Sequence, residues 1–456
     1  MDVYGAVYGR CVFPLWERGI RRRPTLGILD DLERTQWKPR DWHVGEQVEA
    51  VRALLRHAGS RVPLYRERLR AAGIRPEDVR SLDDLHAIEP LSRAEARDAG
   101  DARRSEVAPF ATIRKATSGS SGEPLAFAYD VGSEHWRTAT KLRGYGWAGQ
   151  LPGVRTMYFW GAGAPVRRSA KQRAKIAVDH FLRRETYVDC GSRSEGALAA
   201  AVRTIETTRP EVLVCFAQAG GELARYVNEN RLRTWGDIRV ICGAEALLES
   251  DRRALRRAFG PEVFESYGSR EVMLMGMECE AHDGLHVSME NLIVEVVVRE
   301  NGRTRAARPG EIGEVLVTDL HNYGMPFIRY ANGDLARASS GGPCRCGRGL
   351  GRIASIEGRV TQTLRDARGE PVSGLAVCSV VAHLGHAIRA FQTVQHEDGS
   401  VTLRLVPTPA FDDVARAHLE RSLSPYFKGL PFRIQPVGDI PPAKSGKRSI
   451  VVVEGA

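Results

Sequence analysis

The chain has 456 residues, a length that suggests two to three domains and a full hydrophobic core without disulfide staples. Apolar residues make up 43% and aromatics 7%, as in an ordinary globular protein, and no stretch reaches the ~20 apolar residues of a membrane-spanning helix. The formal charge is +10, but only eight of the 66 basic residues are lysine, and the arginines are scattered among acids. The runs Arg21–Arg22–Arg23 and Arg167–Arg168 have no interleaved aromatics. The expectation is therefore a solvated basic surface, with a phosphorylated ligand as the next reading, and neither a nucleic-acid nor a membrane partner. Asp2, Arg10 and Glu17 interrupt the first segment, so no signal peptide is expected. Eight cysteines over this length fit a reduced, cytoplasmic protein.

In chain order, residues 46–72 predict an amphipathic helix with Val48, Val51, Leu54, Leu55 and Ala58 on one face, ended at Pro63. Alternation begins near residue 111 and gives a short strand at Leu125–Tyr129. Buried strands are expected at 154–160, 211–216, 238–242 and 262–267, with helices at 194–208, 220–229 and 250–259. This βαβα rhythm predicts a parallel α/β sheet covered by helices. Beyond residue 285 the pattern becomes β-rich. Beyond Gly358 a separate unit follows, with strands at 401–406 and 432–437 around a helix at 411–423. The fold expected is α/β: a large N-terminal domain with a β-rich subdomain over residues 1–357, and a small mobile α+β domain over 358–456.

Five short motifs carry chemistry. Thr117-Ser118-Gly119-Ser120-Ser121-Gly122-Glu123-Pro124 combines glycines and hydroxyls, which let backbone amides approach a polyphosphate, although the lysine ending of a Walker loop is missing. Alone it reads equally as a flexible turn. Ser266-Tyr267-Gly268-Ser269-Arg270-Glu271 ends a strand with an aromatic for stacking and an acid for a metal. In Tyr330-Ala331-Asn332-Gly333-Asp334 the carboxylate can accept both ribose hydroxyls. Gly358-Arg359 precedes the last unit, and Lys444-Ser445-Gly446-Lys447 places lysines on a glycine turn, as mobile point charges.

Cys279-x-x-His282 and Cys344-x-Cys346 supply thiols and an imidazole from two turns, the donor set of a closed tetrahedral Zn²⁺ site, with His286 as an alternative to His282. The competing reading is a set of free groups on loops. The remaining cysteines read as buried packing residues. His57 and His135 read as structural, and Trp147 and Trp160 as core.

In their order, over 330 residues, the five motifs resemble the adenylate-forming superfamily of acyl-CoA synthetases. Within it they resemble the phenylacetate–CoA ligase, CapK and coenzyme F390 synthetase branch. HAGSRVPLYR (57–66), ICGAEAL (241–247), MECEAHDGLHVSMEN (277–291), CRCGR (344–348) and the closing GKR add to the likeness. The resemblance implies an ATP-dependent, AMP-forming ligase that activates a small carboxylic acid, aromatic by analogy, and passes it to CoA. Thr117 to Gly122 would cradle the β- and γ-phosphates. Gly243, Ala244 and Glu245 would border adenine, and Tyr267, followed by Gly268 and Ser269, would stack on it. Glu271 would help hold Mg²⁺. Asp334 would bind the ribose, Arg359 would assist there, and Lys447 would bridge the acyl carboxylate and the α-phosphate. Val360-Thr361-Gln362 stands where an acidic pair usually follows the hinge, which leaves the second acceptor open between CoA, an amine, a hydroxyl and a carrier protein. A non-catalytic nucleotide-binding homologue is the alternative of another class. A homodimer is one expected form.

Overall fold

The computed structural model describes the chain except for residues 1, 108–110, 118–124, 162–168, 301, 360–363, 370, 373–376, 378–379, 382–383, 385–386, 428, 442–448 and 455–456. Contacts divide it into two compact units, Met1–Val154 with Phe264–Ile356 and Arg155–Val263 with Glu357–Ala456.

The first unit is built around antiparallel strands. Leu292–Glu300 pairs with Arg303–Ala306 on one side and Ile312–Asp319 on the other, and Ile312–Asp319 continues to Tyr330–Ala338. Met273–Glu278 lies between Val263–Ser269 and Leu285–Val287. The predicted 46–72 helix is two helices, Arg40–Arg61 and Pro63–Ala72. Pro63 opens the second one, because its missing N–H costs nothing at the first helical position. The predicted face, Val48 through Ala58, is the buried one. It joins Phe127, Tyr267, Met275, Phe327 and Tyr330 in one core, so the candidate site is floored by packed side chains.

The helix Val131–Trp147 was not apparent in the sequence. Its side facing the protein carries Arg137 and Arg143, both buried, where an apolar stripe would normally stand. Arg137 Nη2 donates to Asp319 Oδ2 at 2.5 Å, and Arg143 forms a two-pronged pair with Glu290 at 2.6 and 3.0 Å. Two ion pairs thus replace the hydrophobic periodicity that pattern reading depends on.

The second unit contains parallel strands Arg239–Gly243, Val212–Phe216, Thr156–Trp160 and Glu185–Asp189, in that spatial order. Helices Glu195–Thr208, Ala217–Glu229 and Glu249–Phe259 match the expected ones within a few residues. Val212–Phe216 is wholly buried, as a central parallel strand should be. Helix Ala170–Arg183 buries no residue, and it escaped the sequence reading for that reason. Towards the C-terminus, strands Phe432–Pro436, Val401–Pro407, Ile388–Gln395 and Val451–Val453 form a separate sheet. Helix Asp413–Leu423 packs on a core that includes Leu403, Leu405, Leu419 and Leu423. The α/β class with a smaller α+β C-terminal region is therefore the observed one. Among the described residues, no helix is long and apolar enough to cross a membrane.

Candidate functional site

Tyr267 lies near the end of Val263–Ser269, where the strand bulges against Met273–Glu278. Gly268 is required there: a Cβ would sit 2.2 Å from the Met273 carbonyl oxygen. Met273 itself takes φ +68°, an uncommon conformation for a residue with a side chain. The close turn fixes where the Tyr267 ring stands. Its hydroxyl donates to Asp334 Oδ2 at 2.9 Å, and Asn332 Nδ2 donates to both the Tyr267 hydroxyl and Asp334 Oδ2 at 2.8 Å. The Asp334 amide in turn donates to Asn332 Oδ1 at 3.0 Å. All three side chains are buried. Tyr267 and Asp334, expected to serve base and ribose, are thus joined, and Asn332 is the member the sequence reading left out.

Glu271 is buried beside this group. Its Oε1 accepts from Arg93 Nη1 and from the Tyr330 hydroxyl, each at 3.2 Å, while Oε2 takes no hydrogen bond among the described residues. Burial pushes the Tyr330 phenol above its ordinary range, and the adjacent Glu271 carboxylate adds to this. Arg93 also donates through Nη2 to Thr117 Oγ1, which in turn accepts the Leu125 amide at 2.9 Å. One arginine therefore connects Thr117, the first residue of the motif expected to receive phosphates, to the acid expected to hold Mg²⁺. Arg93 opens the helix Arg93–Asp98, capped by Ser92 and Glu95 in a reciprocal box. A bridge between Leu91 and Tyr330 sets the position of that helix. Sequence reasoning missed Arg93, since a single arginine in an arginine-rich chain gives no local signal.

In the second unit, Gly243 ends a parallel strand and Ala244 follows at φ +66°. Glu245 Oε2 accepts the Gln218 amide at 3.2 Å, at the start of Ala217–Glu229, where the helix dipole favours an anion. Ligands of parallel α/β sheets bind at the carboxyl ends of the strands, where this segment lies. Arg359 ends the strand Arg352–Arg359. Ser118, Gly119, Ser120, Ser121, Gly122, Thr361 and Lys447 lie outside the described residues.

The second cluster gathers Cys279, His286, Cys344 and Cys346, with one donor atom from each within 4.8 Å of the others. Of the two histidines left open, His286 is in the cluster. His282 turns away at φ +49°, with Nδ1 3.3 Å from Glu278 Oε2. His286 Nδ1 lies 3.2 Å from the Leu350 carbonyl, which takes its proton and aims the Nε2 lone pair at the thiols. Burial lowers the His286 pKa to about 4, so the imidazole is neutral near pH 7. The Cys279 and Cys344 sulfurs are 3.7 Å apart, and Cys346 Sγ is 3.3 Å from His286 Nε2. A tetrahedron with metal–sulfur bonds of ~2.3 Å has edges of about 3.8 Å, so the spacing fits a four-coordinate ion. Arg348, held between Trp37 and Trp147 and paired with Glu280, offers its amide to Cys346 Sγ at 3.4 Å.

Other expectations resolve simply. His57 Nε2 contacts the Tyr323 carbonyl and His135 Nδ1 the Thr25 hydroxyl, so both are structural. Cys190, Cys215 and Cys242 are buried. Cys11 is exposed, contrary to its reading as a packing residue, because it lies on the outer face of a surface helix; Cys378 lies outside the described residues.

No protein-family model matches the chain. It is 27% identical over 377 residues to a phenylacetate–coenzyme A ligase of Thermus thermophilus, covering 80% of each chain. It is 27% identical over 329 residues to the phenylacetate–coenzyme A ligase of Escherichia coli (strain K12), covering 69% of this chain and 70% of that one. The chain is a homologue of these ligases. A 2-hydroxyisobutyryl-CoA ligase, crystallised in the postadenylation state with 2-HIB-AMP, superposes with a TM-score of 0.72 at 19% identity, over 91% of this chain and 90% of that one. An open conformation of that ligase, in complex with 2-HIB-AMP and CoA, gives a TM-score of 0.60 at 18% identity, over 88% and 89%. The fold is that of the acyl-CoA ligases.

Proposed function

We infer that this chain is an ATP-dependent, AMP-forming ligase that joins a carboxylic acid, aromatic in our reading, to CoA. The observation that carries the inference is the buried Tyr267–Asn332–Asp334 group with Glu271 beside it. It sits in a chain homologous to phenylacetate–coenzyme A ligases over most of its length. The carboxylate of the acid attacks the α-phosphorus of ATP, the bond to the β-phosphate oxygen breaks, and pyrophosphate leaves. The thiol then displaces AMP. Tyr267 presents its ring to adenine while its hydroxyl and Asn332 hold Asp334 for the ribose. By the resemblance, Thr117 and the glycine–hydroxyl sequence 118–122 are assigned to the β- and γ-phosphates, and Gly243, Ala244, Glu245 and Arg359 are assigned to the nucleotide. Glu271, with Oε2 open among the described residues, would hold Mg²⁺, which offsets the charge of the meeting anions. Lys447 supplies a further positive charge between the acyl carboxylate and the α-phosphate. We assign residues 358–456 to a mobile domain that carries this lysine.

Cys279, His286, Cys344 and Cys346 hold a structural Zn²⁺, since four protein donors leave no position for a substrate. The free thiols among the described residues fit a reducing, cytoplasmic setting.

Val360-Thr361-Gln362 at the hinge supports a second reading, CapK-like transfer to an amine, hydroxyl or carrier protein. Product analysis with CoA, hydroxylamine and simple amines separates the two. A thioester formed faster than any hydroxamate or amide supports CoA; amide formation with CoA ignored replaces it.

A further inference from the structure

Residues 3–20 form one continuous helical run in which Tyr8–Val12 and Leu15–Ile20 are wound as π turns. The Arg21 amide accordingly reaches back five residues to the Trp16 carbonyl at 2.8 Å. The inner face of the run is fixed. Tyr8 and Phe13 pack with Leu26, and the Gly9 backbone lies so close to Pro152 that a Cβ would meet its carbonyl oxygen at 2.8 Å. The outer face is apolar as well. Val3, Val7, Val12, Trp16 and Ile20 recur at spacings of four and five, and the wider π turns keep such spacings on one side. Their exposures lie between 41% and 81%, and Leu15 beside them is also exposed. Isolated exposed apolar residues are normal on protein surfaces, but a continuous stripe of this kind marks an interaction face.

The charge beside the stripe indicates its partner. Residues 2–23 contain five arginines against Asp2 and Glu17, a net charge of +3. Arg23 is paired with the buried Glu17 and Arg18 with Asp30, so the positive charge the segment presents to solvent comes from Arg10, Arg21 and Arg22. Arg21 lies over the Trp16 ring at 5.0 Å, and Arg10 and Arg22 are exposed. A helix with an apolar stripe, a tryptophan and flanking arginines has the chemistry of a segment that lies in the interface of an anionic bilayer. A second copy of the same basic face would meet it with like charge.

We propose that residues 3–23 form an in-plane docking face for an anionic lipid surface, which revises the expectation that the chain has no membrane partner. This contact needs no spanning helix. It tethers the enzyme beside the bilayer without involving the nucleotide-binding residues.

The test is flotation of the full chain with vesicles of phosphatidylglycerol and phosphatidylcholine, against vesicles of phosphatidylcholine alone. Binding is expected only with the anionic lipid and should weaken as salt is raised. The variants V12E/I20E and R21E/R22E should each lower partitioning roughly tenfold or more. Acid-dependent ATP–pyrophosphate exchange should not change in either. Failure of the wild-type chain to float with anionic vesicles overturns the proposal. Binding unchanged in both variants also overturns it. So does a wild-type dimer by light scattering that V12E/I20E converts to monomer without any vesicle binding, which would assign the face to a second copy.

Discussion

At the scale of single residues, the site depends on polar groups removed from water and satisfied by one another. Tyr267, Asn332 and Asp334 share one oxygen and one hydroxyl among three hydrogen bonds, so the loss of one member leaves another buried without its partner. Tyr267→Phe is expected to weaken ATP binding roughly tenfold by calorimetry and to lower the melting temperature by a few degrees, because buried Asp334 loses a donor and Asn332 an acceptor. Asn332→Ala should cost at least as much, because it removes two donors. Tyr267 and Asp334 could be read from the sequence, since each sits in a short motif of glycine and polar residues. Asn332 and Arg93 could not: their roles come from partners 65 and 178 residues distant.

A half-buried histidine gives a prediction in pH. His321 is stacked on Trp136 at 3.8 Å, and burial holds its pKa below the ordinary 6.5, partly opposed by the Glu290 carbonyl. The unfolded chain then binds a proton that the folded chain does not, so stability is complete above about pH 6.5 and falls as pH drops towards the lower folded value. Glu290 works in a lower window. Burial raises its pKa, Arg143 outweighs that and lowers it, and its contribution is lost only below the ordinary carboxyl value of 4.5. Urea midpoints should therefore fall between pH 7 and 5 in the wild type and fall less in His321→Gln. Equal slopes would assign the loss to other groups.

At the scale of elements, regular patterns and buried charges behaved differently. The strands and helices between residues 194 and 269 have apolar cores and standard spacing, and their expected positions lie close to the observed ones. Val131–Trp147 escaped because its buried face is held by ion pairs. Those pairs also make it vulnerable. Arg137→Ala would strand Asp319, which is fully buried, and is expected to cost about 3–5 kcal/mol in urea unfolding. A loss below 1 kcal/mol would mean that water replaces the guanidinium there. Similarly, Pro63 was read correctly as a boundary, but it begins a helix as well as closing one.

At the scale of the whole molecule, the Cys/His cluster binds together turns that are distant in sequence, Cys279–His286 and Cys344–Cys346. Both cysteine-containing segments were legible from their spacing, but the choice between His282 and His286 was not, because it rests on a turn at φ +49° and on the Leu350 carbonyl. Cys344→Ser should abolish stoichiometric zinc, measured by atomic emission, and lower the melting temperature by several degrees while ATP affinity is retained. Wild-type protein free of metal would contradict the assignment. The glycine at 358 takes φ +116°, a conformation that residues with a side chain rarely adopt.

Ligase activity in this chain begins with acyl-adenylate formation, which ATP–pyrophosphate exchange measures without any acyl acceptor. With CoA omitted and a panel of aromatic and aliphatic acids supplied, exchange should depend on the acid, and Lys447→Ala should abolish it while ATP still binds. A folded, ATP-binding wild-type protein that exchanges pyrophosphate with no acid would contradict the ligase assignment and leave a nucleotide-binding homologue without turnover.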